Sequence, residues 1–392
     1  MNRDRFPGIA SAGWVRLDGP AGSQVVDSVP GAIHDYLAGA DIANLHGFSA
    51  ASIATDRLLD DARSSIGSML NAEREGVVFG SSMTVLAAHL ADALAPTLNP
   101  GDEIVCTQLD HDANVSPWLR AAAKAGATVR FAEVDPVSLE LSVEAVADQL
   151  SSRTRIVALT AASNVVGSKP DLPAIIQEAH RVGAVAVLDA VHSIPHEPLD
   201  VGSLDADVVL ASAYKWFGPH LGVMWLRDEL IGQLSPPKVR PAPTVGPEAW
   251  ERGALPFELL PGVIGAADYM QSLDWVAAAE HEAELMQILI KGVDSIEGVS
   301  RIGQPLRGTA TVAFTVHGVT PEDIARRLAV RKIAISHGNF YAVELLKVAG
   351  LQSCLRAGVL HYNSSSDVEA FLNALSDVTV ESTRQTTGSG ER

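Results

Sequence analysis

The segments AVAVLDAVH at 184–192 and VVLASAYKWFGP at 208–219 decide the fold. Each opens on a continuous apolar run, Ala184–Leu188 and Val208–Leu210, and each runs into polar residues: Asp189 and His192 in the first, Ser212 and Lys215 in the second. A strand whose apolar residues do not alternate with polar ones is buried on both faces, as in a parallel sheet covered by helices. Runs of the same kind recur at Val77–Phe79, Ile104–Cys106, Val129–Phe131, Ile156–Leu159 and Val223–Leu226. Between them lie Ala- and Leu-rich helical segments, Val85–Leu98, Ser116–Ala125, Val143–Leu150 and Pro173–Arg181. This β-α repeat predicts an α/β fold with a mostly parallel sheet.

Beyond Gly262 the pattern changes. A long helical region is expected from Val263 to about Ile296. It leads to a small α+β unit with strands at Thr309–Val316, Lys332–Ser336 and Ser353–Gly358 and helices at Pro321–Val330 and Ser366–Leu375. The expected division is an N-terminal arm over residues 1–15, a large domain over 16–262, a linker helix with a small C-terminal domain over 263–380, and a loose polar tail over 381–392.

Composition removes several classes of function. The 392 residues carry 29 Lys plus Arg against 47 Asp plus Glu, a net charge of −18. That excess repels nucleic-acid phosphates and anionic membranes, so neither is expected as a partner. No apolar run approaches the roughly 18 residues of a membrane span. The N-terminus lacks the basic-then-apolar order of a signal peptide, and two cysteines are too few for a disulfide framework. A cytoplasmic chain acting on a small molecule is the expectation.

Ligands of open α/β sheets bind at the carboxyl ends of the strands. Asp189 at such an end can hold a cationic ring. Lys215, just before a Gly-Pro turn, can form a covalent adduct with an aldehyde. Gly80-Ser81-Ser82-Met83-Thr84 before a helix offers free N–H groups and hydroxyls to an anion. In Asp110-His111-Asp112-Ala113-Asn114 the imidazole can stack on a flat ring, and Ser163-Asn164-Val165-Val166-Gly167 forms a polar turn at the same edge. His192 and His196 have helical ligand spacing, but Pro195 and Pro198 oppose a helix and no third ligand is evident, so no metal is expected.

These motifs, in this order, resemble the class V aminotransferases of the pyridoxal phosphate (PLP) enzymes, in the branch of cysteine desulfurases. The resemblance rests on Ser212-Ala213-Tyr214-Lys215 before Gly218-Pro219, Asp189-Ala190-Val191-His192, the Asp110–Asn114 and Ser163–Gly167 segments, and Arg356 to Asn363. It implies fold type I and a homodimer with active sites near the subunit interface. Lys215 would then hold PLP and move the substrate Cα proton, Asp189 would face the pyridine nitrogen, and His111 would stack on the ring. Thr84, Met83, Ser212, Tyr214, His192 and Asn164 would complete the cofactor set. Arg356, Asn164, His46 and Tyr341 would receive a small amino-acid substrate.

The departures from that pattern bear on chemistry. Where desulfurases keep a nucleophilic cysteine, this chain reads Gly338-Asn339-Phe340-Tyr341-Ala342, and a phenol cannot carry persulfide sulfur. Cys354 lies in an apolar strand pattern, the setting of a buried structural thiol. His192 stands for a glutamine, Tyr214 for a histidine, and Ala254 for a hydroxyl residue that reaches the phosphate of a neighbouring subunit. C–S lyase or desulfurase-like chemistry without a persulfide cysteine is expected, with amino transfer to a 2-oxo acid as the alternative and a non-catalytic PLP-binding protein as a further one.

Overall fold

A computed structural model describes residues 3–10, 13–39 and 42–388. Seven strands form the main sheet in the spatial order Val77–Gly80, Gly222–Leu226, Val208–Ser212, Val185–Asp189, Thr154–Thr160, Glu103–Thr107, Thr128–Ala132. Only Gly222–Leu226 runs antiparallel to its neighbours. The parallel strands therefore end at one edge, which carries Asp189 and Ser212.

Alternate side chains of each strand serve two different cores. Val105, Val157, Leu159, Ala186, Leu188 and Val209 pack on one face with the helices Ala50–Leu70 and Leu260–Ser272. Ile104, Ile156, Val187, Val208 and Leu210 pack on the other, against Leu86, Leu90 and the fully buried Trp118. Burial on both faces is the physical reason that these strands show continuous apolar runs.

A second sheet of four antiparallel strands follows the order Ser336–Gly338, Cys354–Gly358, Thr311–Val316, Val299–Ile302. Its core contains Phe314, Leu355 and Phe371, with Leu285 and Leu289 from the helix Trp275–Ser295.

Several expectations need correction. The region from Val263 to Ile296 is two helices, Leu260–Ser272 and Trp275–Ser295; Asp274 caps the second by accepting from the Ala277 N–H at 3.1 Å. The expected strand Lys332–Ser336 divides between two sheets. Ile333–Ala334 pairs in parallel with Val15–Arg16, and Ser336–Gly338 joins the four-stranded sheet. The N-terminal arm is thus tied to the C-terminal half. Phe6 is fully buried in an aromatic cluster with Phe217, Tyr269 and Tyr362, at ring centroid distances of 5.4, 5.6 and 4.8 Å. The tail is not a coil from residue 381, because the helix Ser365–Gly388 continues through it; its last four residues, 389–392, lie outside the described residues. The helices Ser28–Ala38 and Ala50–Leu70 were not anticipated. Both pack against Leu260–Ser272.

Candidate active site

The carboxyl edge of the main sheet and the Ser336–Gly338 end of the small sheet enclose a cavity of about 480 Å³. Every residue of the expected set except His46 lines it.

Asp189 ends its strand almost fully buried and accepts the Val191 N–H at 2.9 Å. Burial lifts its carboxyl to about 6, against the lowering influence of that N–H and of Lys215. Lys215 follows the Val208–Ser212 strand on a tight turn, and its Nζ donates to the Pro20 carbonyl at 2.5 Å. Its amine is pushed down to about 7, first by burial and then by the Arg356 cation; the attraction of Asp189 is the smaller, opposing influence. Lys215 is therefore a neutral nucleophile at pH values where a surface lysine is fully charged.

The anion cradle is built from the N-terminus of the helix Met83–Leu94. Ser82 caps it by accepting the Val85 N–H at 3.2 Å, and the Met83 N–H donates to Ser212 Oγ at 3.2 Å. Gly222 permits this approach, since a Cβ there would stand 2.4 Å from the carbonyl carbon of Ser82. Thr84 sits exposed in the first turn, and the Tyr214 ring stacks on His220 at 4.7 Å and 8°.

His111 Nδ1 accepts the Ala113 N–H at 3.0 Å. Burial, followed by the Lys215 charge, lowers its imidazole to about 4, so the ring is neutral with its proton on Nε2. Asp110 beside it was quoted only as part of a motif, yet it is a fully buried carboxyl lifted to about 8 by burial. It accepts from Asn114 Nδ2 at 2.8 Å, and Asn114 Oδ1 accepts the Trp118 indole N–H at 3.3 Å. This chain fixes the loop that carries His111.

Asn164 and Arg356 lie together on the far wall. Arg356 Nη1 donates to the Asn164 carbonyl, Asn164 Nδ2 donates to the Phe340 carbonyl at 2.8 Å, and the guanidinium lies 4.1 Å from the centre of the Phe340 ring. Phe340 was not singled out from the sequence, where a lone aromatic in a loop gives no signal. Tyr341 stands at the cavity mouth, 68% exposed, with its ring 5.3 Å from that of His111. His192 is buried, and its Nε2 lies 3.1 Å from Thr311 Oγ1 and 3.2 Å from Thr309 Oγ1.

His46 is corrected. It lines a different cavity with Pro237, Lys238 and Ala254, and its Nε2 faces Glu248 at 3.4 Å. Both cysteines are buried away from the active cavity; burial raises the Cys354 thiol to about 12 and also holds the Cys106 thiol well above its ordinary value. Among the described residues, no group of three or more His, Cys, Asp or Glu is arranged to hold a metal ion, and no helix is long and apolar enough to cross a membrane.

The cavity fits pyridoxal phosphate on its donor chemistry. It offers an uncharged lysine for the aldehyde, a buried carboxyl for the ring nitrogen, a neutral imidazole for the ring face and a helix N-terminus for the phosphate. Two buried polar atoms of the far wall, Asn164 Oδ1 and Arg356 Nε, find no hydrogen-bond partner among the described residues. Such atoms are costly unless a ligand or water meets them.

Comparison with known proteins identifies the family. The aminotransferase class-V family model matches residues 15–371, and the chain belongs to that family. A probable cysteine desulfurase of Pseudomonas putida is 31% identical over 395 residues, covering 95% of this chain and 96% of that protein. The aminotransferase-like protein FGM3 of Gibberella zeae is 30% identical over 392 residues, covering 95% and 96%. The solved structure of the Escherichia coli cysteine desulfurase CsdA superposes with a TM-score of 0.88 at 28% identity, covering 97% of each chain. The fold is accordingly the type I fold of PLP enzymes, and this branch of the family is that of the cysteine desulfurases.

Proposed function

We propose that the protein is a PLP-dependent enzyme that cleaves the Cβ–S bond of a small sulfur-bearing α-amino acid, releasing the sulfur directly rather than onto a protein cysteine. One observation carries the reading: Lys215 and Asp189 share a cavity with the Asn164–Arg356 clamp, and the thiol-free Tyr341 stands at its mouth. Bound PLP supplies an electron sink for negative charge developing at the substrate Cα.

The chain's own residues do the rest. Arg356 and Asn164 bind and orient the substrate carboxylate, a task suited to the planar guanidinium fork. Lys215, poised near neutrality, takes the Cα proton at Nζ and returns it. Asp189 would face the ring nitrogen and keep it protonated, and His111 would pack on the ring. Tyr341 offers an O–H at the mouth for the departing sulfur. Cys106 and Cys354 keep their protons in the core and do not take part.

Transamination uses the same clamp and lysine, and the aminotransferase-like name of the Gibberella zeae relative favours it as the second reading. A homodimer in the cytoplasm completes the proposal. Exposed apolar side chains at Phe48, Val239 and Val245 support association of two copies, which size-exclusion chromatography would test.

The deciding experiment supplies the PLP-loaded protein with L-cysteine, and separately with L-alanine and a 2-oxo acid. Sulfide with pyruvate is the expected outcome. Amino transfer without sulfide would promote the second reading, and absence of a visible cofactor band in the wild type would overturn both.

A further inference from the structure

His192 separates two cavities. Its ring lines the active cavity, while its Nε2 faces the hydroxyls of Thr309 and Thr311, which line a second cavity of about 440 Å³. This second cavity also holds His196, whose Nδ1 lies 2.7 Å from Glu282 Oε2. At its rim stand Lys169 and Glu197, with side chains 23% and 37% exposed, so it reaches solvent. Its walls are largely apolar, but His196, Glu282, Thr309 and Thr311 give water that enters from the rim polar partners.

Among the described residues no hydrogen-bond partner meets His192 Nδ1, the nitrogen left for the active cavity. We infer that His192 and the Thr309–Thr311 hydroxyl pair form a proton relay between the active cavity and water in the second cavity.

The chemistry of the three groups supports a relay rather than a static support. An imidazole can gain a proton at one nitrogen while losing one at the other, and a hydroxyl both donates and accepts. A proton arriving at Nδ1 from the active cavity leaves Nε2 for a threonine Oγ, whose own proton passes to water. One proton is transferred, no charge accumulates, and reversal restores the starting state. The ring itself stays neutral at rest because burial disfavours its charged form, and the Arg356 cation acts in the same direction.

Lys215, which must exchange any proton it takes from the substrate, faces the same cavity. The relay provides that exchange by a route separate from the mouth at Tyr341. Thr309 is fixed for the task, since its N–H donates to the Gly167 carbonyl at 2.9 Å. Gly167 has φ +76°, and a Cβ there would meet Thr309 at 2.9 Å.

This inference rests on the proposed function, and the test separates the two. In the PLP-loaded protein, exchange of the L-alanine Cα hydrogen with D₂O is followed in wild type, T309V/T311V and T309S/T311S. The valine pair is expected to slow exchange by about tenfold or more, within the range of general acid–base catalysis, with the alanine Kd unchanged. The serine pair is expected to stay within about twofold of wild type, since it keeps both hydroxyls. In the cofactor-free protein, ¹⁵N NMR should show the His192 ring nitrogens shifted in the valine pair and unshifted in the serine pair. Equal exchange in the valine pair and wild type, or equal slowing in both pairs, would overturn the relay while leaving the proposed function intact. A wild type without a visible cofactor band would overturn the proposed function, and the cofactor-free NMR arm would still decide the contact.

Discussion

Lys215 and Arg356 place two basic groups in one buried cavity, and the guanidinium adds to burial in bringing the Lys215 amine down from 10.5 to about 7. The sign of this effect sets the pH dependence of cofactor attachment. Below about 7 the amine is charged and unreactive, and above it the neutral nucleophile predominates. The rate at which the visible band forms on mixing cofactor-free protein with PLP should therefore rise through a midpoint near 7. Arg356→Gln should move that midpoint upward, because it removes a cation that disfavours the ammonium. A midpoint near that of a surface lysine would contradict the geometry.

Arg63 and Glu251 form a buried ion pair at 2.8 Å, and Glu251 also accepts the Phe79 N–H at 3.1 Å, linking the helix Ala50–Leu70 to the first strand of the main sheet. Arg63→Ala deprives the buried Glu251 carboxyl, which burial already lifts to about 7, of its cation and removes the hydrogen bonds of the guanidinium to Glu251 and the Val77 carbonyl. Arg63→Ala should cost about 3–5 kcal/mol, read as a lowered urea midpoint with the m-value retained. A loss below 1 kcal/mol, the range of surface pairs, would show that the pair is open to water.

The N-terminal arm should be part of the core rather than an appendage. Phe6→Ala empties the centre of its aromatic cluster and should destabilise by about 3–5 kcal/mol. Tyr341→Phe, at an exposed ring, should change stability by less than about 0.5 kcal/mol while slowing sulfide release. Release at the wild-type rate would remove the phenol from the proposed chemistry.

His89 lies buried against Trp250, with ring centroids 5.8 Å apart, and is lowered to about 4 by burial and then by Arg252. The unfolded chain binds its proton near 6.5, so between 6.5 and 4 the unfolded state holds more protons and stability falls as pH falls. His89→Leu should flatten the decline across that window in chemical unfolding at successive pH values. An unchanged slope would show that His89 is already protonated in the fold.

The main sheet was legible in the sequence because burial on both faces leaves a one-dimensional trace, as at Ala184–Leu188 and Val208–Leu210. The helix Ala50–Leu70 left a weaker one. Leu59, Ala62, Ile66 and Leu70 have helical spacing, but Asp56, Arg57, Asp60 and Asp61 break the apolar texture around them. Helix Ser365–Gly388 was cut short in the sequence reading because polar residues in its last turns resemble a tail. At the site, strand-end residues such as Asp189 and Lys215 could be placed by topology. Thr309 and Thr311 could not, since only the packing of the small sheet on the main one brings their hydroxyls to His192; Phe340 meets Arg356 through the pairing of Ser336–Gly338 with Cys354–Gly358, a contact between segments distant in sequence. His46 faces Glu248 and lines the cavity that holds Ala254, apart from the carboxyl edge of its own chain.

The central claim is that sulfur leaves without a protein thiol. Its most direct test is sulfide release from L-cysteine by the PLP-loaded C106A/C354A variant, with the visible band as the control for folding and loading. Because both thiols are buried and held protonated, sulfide should appear with pyruvate at a rate within about twofold of wild type. Loss of sulfide release with the band intact, or a persulfide trapped on Cys106 or Cys354 of the wild type, would contradict it.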